Sequence, residues 1–251
     1  MGLSHNKIKY IKSLKEKRFR SKYKCFVAEG EKLVFDLMET CKCQMIAALP
    51  GILSLHTEIA AEEIVVASEV ELDRATSLKT APAVIAVFYQ PQSDINLQSF
   101  NTSLNLILDG VQDPGNVGTI VRIADWFGIN NIFCSFDCAD VFNPKTVQAT
   151  MGSIARVRVT YTDIFALITK SNNIPVYGTF LRGKNIYEES LSKNGLIVMG
   201  SEGKGISREI DKLVTDRLFI PYFPVDNKSS ESLNVAVATA ITCSEFRRRH
   251  F

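Results

Sequence analysis

The chain has 251 residues, enough for one large domain or two smaller ones, and 46% of them are hydrophobic, enough for a real core. Its formal charge of +2 is unevenly placed: residues 1–24 hold nine Lys or Arg against the single acid Glu16, a local +8 that leaves −6 for the rest. No apolar run approaches the length of a membrane span, and no apolar signal core follows the N-terminal charges, so a soluble cytoplasmic protein is expected.

Residues 4–22 read as one amphipathic helix, with Ile8, Ile11 and Leu14 at helical spacing and lysines between them. A strand at 25–28, a helix at 31–38 and strands at 64–67 and 83–89 make a small α/β unit over residues 1–90. Residues 91–103 are rich in Ser, Asn and Asp and read as a linker. From 104 to 251 the elements alternate. Strands are expected at 104–108, 131–134, 155–160, 175–180, 196–199 and 217–220, and helices at 117–127, 163–171, 207–214 and 234–247. A further helix starts at Asn143-Pro144, with Asn as the N-cap and Pro in the first turn. Such alternation predicts a parallel sheet covered on both faces.

The six cysteines lack the C-x-x-C spacing of a zinc site, and the three histidines are far apart. They read as reduced buried thiols, and no metal is expected.

Three polar segments follow predicted strands. They are Asn116-Val117-Gly118-Thr119-Ile120-Val121-Arg122, Met199-Gly200-Ser201-Glu202-Gly203-Lys204-Gly205 and Ser232-Leu233-Asn234-Val235-Ala236-Val237. Ligands of open α/β sheets bind outside the carboxyl ends of strands, so three such loops imply one pocket. Asn116 and Ser232 read as helix N-caps. The glycines at 200, 203 and 205 permit positive φ and close backbone approach to a ligand. Neither nucleotide-phosphate loop pattern fits this spacing. Taken singly, each segment can also be a capped helix with a snorkelling arginine, a glycine loop, or a cap followed by core residues.

In order and placement the three segments resemble the motifs of the SpoU (TrmH-like) RNA ribose 2′-O-methyltransferases of the SPOUT superfamily, over about residues 104–247. More weakly, the basic residues 7–20 and Phe26-Val27-Ala28-Glu29-Gly30 are similar to the L30e-like substrate-binding domain often attached to that family. The resemblance implies an α/β catalytic domain with a C-terminal trefoil knot, a rare exception to unknotted topology. It implies S-adenosylmethionine held in the knot by Gly200, Ile220 and Leu233. It puts Asn116, Arg122, Glu202, Ser232 and Asn234 at catalytic positions, and it implies a homodimer with these residues near the subunit boundary.

Ribosomal RNA is favoured over transfer RNA as the substrate, because a front domain of this kind suits folded RNA shape. The expected chemistry is alignment of a ribose 2′-oxygen behind an activated methyl group, which can supply roughly 7–11 kcal/mol. A free guanidinium titrates above about 12, so Arg122 is a poor base. Its expected work is to bind the neighbouring phosphate and stabilise developing alkoxide. Ser232, Asn234 and Asn116 would orient ribose and loops, and Glu202 would hold the arginine or the glycine loop.

Lys12, Lys15, Lys17, Arg18 and Arg20 are the expected RNA contacts, with Tyr10, Phe19 and Tyr23 available for base stacking. The arginines at 247–249 either add to that charge or favour a helix C-terminus. The loop 221–231 is longer than the family's Pro-Met-x-Gly stretch and carries Tyr222-Phe223-Pro224. The alternative reading is a catalytically silent RNA-binding dimer. A small-molecule nucleotide enzyme would not need the basic N-terminus.

Overall fold

The computed structural model describes residues 2–56, 58–91, 100–171, 173–223 and 232–250. Most of the expected linker (92–99) and most of the 221–231 loop (224–231) lie outside the described residues.

The first elements are α1 (His5–Ser13), α2 (Lys17–Tyr23), β1 (Cys25–Glu29), α3 (Glu31–Met38), β2 (Cys43–Ala48), α4 (Pro50–Leu55), β3 (Ala61–Val66), α5 (Glu69–Ala75) and β4 (Val84–Tyr89). Then come β5 (Leu104–Asp109), α6 (Pro114–Trp126), β6 (Asn131–Cys134), α7 (Pro144–Thr150), β7 (Arg158–Tyr161) and α8 (Ile164–Lys170). The last are β8 (Val176–Phe180), β9 (Lys184–Asn185), β10 (Gly195–Gly200), α9 (Arg208–Asp211), β11 (Asp216–Phe219) and α10 (Val235–Arg248). They form two units, one of Met1–Gln92 with Asp140–Arg156 and one of Ser93–Ala139 with Val157–Phe251. The first unit therefore takes in α7, from within the stretch expected to be wholly catalytic.

In the first unit the described strands form a four-stranded sheet of order β1-β4-β2-β3. The β1–β4 and β4–β2 pairs are antiparallel and β2–β3 is parallel. β2 was not expected, because Cys43-Gln44-Met45-Ile46-Ala47-Ala48 holds one β-branched residue. It is an interior strand with all but Gln44 buried, and burial between two neighbours overrides its weak propensity. The single expected N-terminal helix is two. The backbone leaves helical geometry at Glu16, whose ψ is 131°, and Lys24 closes α2 at a left-handed φ of 54°. Ile8, Ile11 and Leu14 nevertheless face the core together with Val27, Met45, Ile85 and Val87.

In the second unit the described strands form a seven-stranded parallel sheet of order β7-β6-β5-β10-β8-β11-β9. Phe100, Ile107, Phe133, Leu196 and Val198 lie in its core. Helix α10 packs against α6. The β5–β10 register ends by pairing Asp109 with Gly200, so two of the three polar segments leave the sheet from adjacent strand ends.

The caps expected at 116 and 232 both shift, whereas Ser207 stands at the N-cap of α9 as its position suggests. Asp113 caps α6 by accepting from the Asn116 amide at 2.9 Å, so Asn116 is the third helical residue. Asn234 caps α10, leaving Ser232 two residues outside it. Asn143 caps α7 and Pro144 opens it, as the sequence predicts. Among the described residues no helix is long and apolar enough to cross a membrane.

Candidate active site at the carboxyl ends of the parallel strands

The strand ends are fastened by backbone groups. Asp109 Oδ2 accepts from the Ser207 amide at 2.7 Å, tying β5 to the loop that leaves β10. That loop doubles back on itself: Ser201 and Gly205 exchange backbone hydrogen bonds of 3.1 and 2.8 Å, with Gly205 at a φ of 68°. A Cβ on Gly200 would lie 2.2 Å from the Gly205 carbonyl carbon and 2.3 Å from the Ile206 nitrogen. Glycine is thus required at 200 by the loop's own backbone, whereas the sequence assigns that close approach to a ligand.

One hydrogen-bonded chain joins all three polar segments. Asn234 Oδ1 accepts from the Ala236 and Val237 amides at 3.0 and 3.3 Å, at the N-terminus of α10. Asn234 Nδ2 donates to Asn116 Oδ1 at 3.0 Å, and Asn116 Nδ2 donates to Glu202 Oε1. Each donor points the same way, from the positive end of a 14-residue helix to a carboxylate. Glu202 was expected to hold Arg122 or the glycine loop. Its partner is Asn116. Chain-distant residues 116, 202 and 234 thereby meet at one place, which the alternative of three unrelated caps and loops does not produce.

The other expected residues surround this chain without joining it. Arg122 lies six residues beyond Asn116, exposed on the same outer stripe of α6 as Thr119 and Trp126. Ile220 is half-buried just past β11, and Ser232 and Leu233 are exposed immediately before α10. Asp109 and Asp113 were missed. Their signal was present, since an acid at a strand end and an Asp before Pro-Gly both favour backbone N–H capture.

Four of the five expected RNA contacts, Lys12, Lys15, Lys17 and Arg18, are exposed. Arg20 is not among them. It is 2% exposed and donates to Leu14 O at 2.8 Å, Lys15 O at 2.6 Å and Asp140 Oδ2 at 2.6 and 3.0 Å. A buried charge must be paired, and Arg20 uses its donors to pin the α1–α2 turn. The aromatic residues do gather. Phe19 and Tyr23 stack at 6.2 Å, Tyr10 meets Tyr23 edge-on, and Arg18 lies 4.7 Å over Phe19.

The C-terminal arginines work locally. Arg247 donates to the carbonyls of Phe127 and Gly128, while Arg248 and Arg249 both bind Glu245. The cysteines are free, as expected, and all but the half-buried Cys41 are buried; among them Cys138 is set apart by its electrostatics. A hydrogen bond from Cys134 holds it below the ordinary thiol range, against the opposing effect of burial.

Comparison with known proteins bears on the family and the fold. Residues 103–244 match the SpoU rRNA Methylase family, and residues 5–86 match an MRM3-like substrate binding domain. A putative RNA methyltransferase of the TrmH family from Porphyromonas gingivalis superposes with a TM-score of 0.90 at 41% identity, over 99% of this chain and 100% of that one. An AdoMet-bound rRNA methyltransferase from Sinorhizobium meliloti gives 0.85 at 27% identity, over 100% and 97%. The 23S rRNA (guanosine(2553)-2′-O)-methyltransferase RlmP of Bacillus subtilis (strain 168) is 29% identical over 97% of this chain and 96% of its own length.

Proposed function

The chain belongs to the SpoU rRNA methylase family, and we propose that it transfers the methyl group of S-adenosylmethionine to a ribose 2′-hydroxyl of ribosomal RNA. The observation that carries this reading is the chain Asn234–Asn116–Glu202, which gathers the three polar segments at the strand ends. The cofactor is supported by the AdoMet-bound relative, and the substrate class by the names of the relatives.

The residues fit such a cofactor. Adenine and a sulfonium need backbone hydrogen bonds and apolar walls more than counter-charges. Backbone of the doubled-back 200–205 loop, with Ile220 and Leu233, offers that donor set. When bound, the cofactor supplies an electrophilic methyl group. The chain's own work is placement. Asn116 and Asn234 are fixed by each other and by α10, so the loops that present ribose keep one geometry. Arg122 extends from α6 into solvent, where its planar fork can take the phosphate beside the target ribose and stabilise developing negative charge on the 2′-oxygen. Ser232, just ahead of α10, adds a hydroxyl for the ribose.

The same reading includes a trefoil knot in the C-terminal half, a homodimer, a metal-free reaction and a cytoplasmic location. The dimer is supported by apolar side chains left in solvent on the packed pair α6 and α10: Trp126 is 86% exposed and Val237 48%. The first unit, with its exposed lysines and stacked aromatics, serves as the RNA-recognition module.

Calorimetry with S-adenosylmethionine, followed by tritium transfer to total RNA from a strain lacking the protein, tests the reading. Binding with transfer to a ribosomal RNA 2′-oxygen is expected. Binding of RNA without transfer would favour the silent RNA-binding dimer, and transfer to transfer RNA alone would displace the substrate.

A further inference from the structure

A cavity of about 600 Å³ opens within the first unit, beside β1, the 76–78 turn and α7. Val27, Leu78 and Pro144 give it apolar walls, and Glu29, Lys15 and Lys145 are its charged members. Glu29 ends β1 and is only 4% exposed. Its Oε1 accepts from the Ser77 amide at 3.0 Å, and its Oε2 accepts from that amide at 3.2 Å and from the Thr76 hydroxyl. Lys15 Nζ donates to the Thr76 carbonyl at 3.4 Å, so the same turn holds the carboxylate and one lysine. Lys145 stands exposed in the first turn of α7.

We propose that this cavity takes one unpaired nucleotide of the RNA. The base would lie against Val27, Leu78 and Pro144 with an edge N–H donated to Glu29, and the phosphate would lie between Lys15 and Lys145. The inference rests on the RNA reading above and locates where the recognition module grips single-stranded substrate. The lining decides the ligand class. A base is a flat apolar body with a polar edge, and unpaired bases are the part of RNA that proteins read by hydrogen bonding. A free inorganic anion would meet the Glu29 carboxylate. A purely apolar guest would use neither that carboxylate nor the lysines. Among the described residues no group of three His, Cys, Asp or Glu could hold a metal ion.

The test compares the full-length parent with Ala149→Phe, which fills the cavity from α7, and with Lys145→Ala, which removes the phosphate partner. Binding of a short fluorescent single-stranded RNA and of the same sequence as a duplex is read by anisotropy, with thermal melting as a check on folding. Single-strand affinity is expected to fall about tenfold in each variant, the size of one charge-assisted hydrogen bond or its equivalent, with duplex affinity within twofold. Cofactor affinity by calorimetry stays at the parent value. Should Ala149→Phe fail to fold, Lys145→Ala and Gln148→Ala carry the comparison. Single-strand affinity within twofold of the parent in the folded variants overturns the cavity proposal while leaving the methyltransferase reading intact. An equal loss for duplex overturns it too, since the cavity would then be ordinary phosphate surface. A parent that transfers no methyl group overturns the function reading, and the cavity still stands or falls on the RNA comparison.

Discussion

The two units hold their polar groups in opposite ways. In the first, Arg20 is buried at 2% exposure and its donors are consumed by Asp140 and two backbone carbonyls. In the second, Asn116, Glu202 and Asn234 form a chain that stays open to solvent at the strand ends. A sealed charge pair serves the fold, because taking away one partner leaves the other stranded. An open chain of amides serves a ligand, because its groups can be reached. Charge in the sequence does not separate the two cases; accessibility does.

The largest test of that contrast is Arg20→Ala. Breaking a buried pair leaves Asp140 uncompensated and should cost about 3–5 kcal/mol, read as a shift in the denaturant midpoint. A midpoint unchanged within error would mean that the pair is structurally idle. Next is Arg122→Ala, on the exposed outer stripe of α6. Methyl transfer should drop by about 10²–10³, the loss seen when one charge-stabilising donor is removed, while melting temperature and cofactor affinity hold. Near-normal turnover would remove Arg122 from the chemistry.

Gly200→Ala probes the border between the two modes. Its Cβ would strike backbone of residues 205 and 206, so the loop must open, and S-adenosylmethionine affinity should fall about tenfold or more by calorimetry, with modest loss of stability. Full affinity would place the cofactor elsewhere. The smallest expected effect per residue comes from neutralising Lys12, Lys15, Lys17 and Arg18 together, with Arg20 left in place. At moderate salt RNA affinity should weaken a few-fold for each phosphate-binding cation removed, and the slope of log affinity against log salt should flatten. A parental slope would make these residues solvated surface only.

Much of the second unit was legible because its signals are local. Strand 131–134 matches its prediction, and strand–helix alternation implied the parallel sheet. In the first unit, Asn143-Pro144 announced α7 for the same reason, because cap chemistry acts over three residues. The caps at 116 and 232 were misplaced because several Asp, Asn and Ser residues stand together at each helix start, and only backbone geometry selects among them. Arg20 could not be separated from its basic neighbours, since its partner lies 120 residues away in sequence. β2 escaped notice for a related reason: Cys43–Ala48 is a strand by virtue of what surrounds it. The meeting of Asn116, Glu202 and Asn234 was implied by the resemblance, but the order of donors along it is visible only in three dimensions.

The discontinuity of the first unit bears on how the chain is made. Residues 140–156 belong to it, and they bring Asp140 for Arg20 and Phe142, whose ring lies 4.9 Å from that of Phe26. A ribosome that has released residue 90 has delivered four strands but neither of these groups. Since domains generally fold as units during synthesis, this one cannot be completed at its first boundary, Gln92, and must wait until Arg156 has been made. Arg20 passes that interval without its carboxylate, and β5, α6 and β6 emerge before the earlier unit can close. The two units are therefore coupled in time as well as in sequence, and a fragment cut at residue 90 would lack the very groups that seal its basic turn.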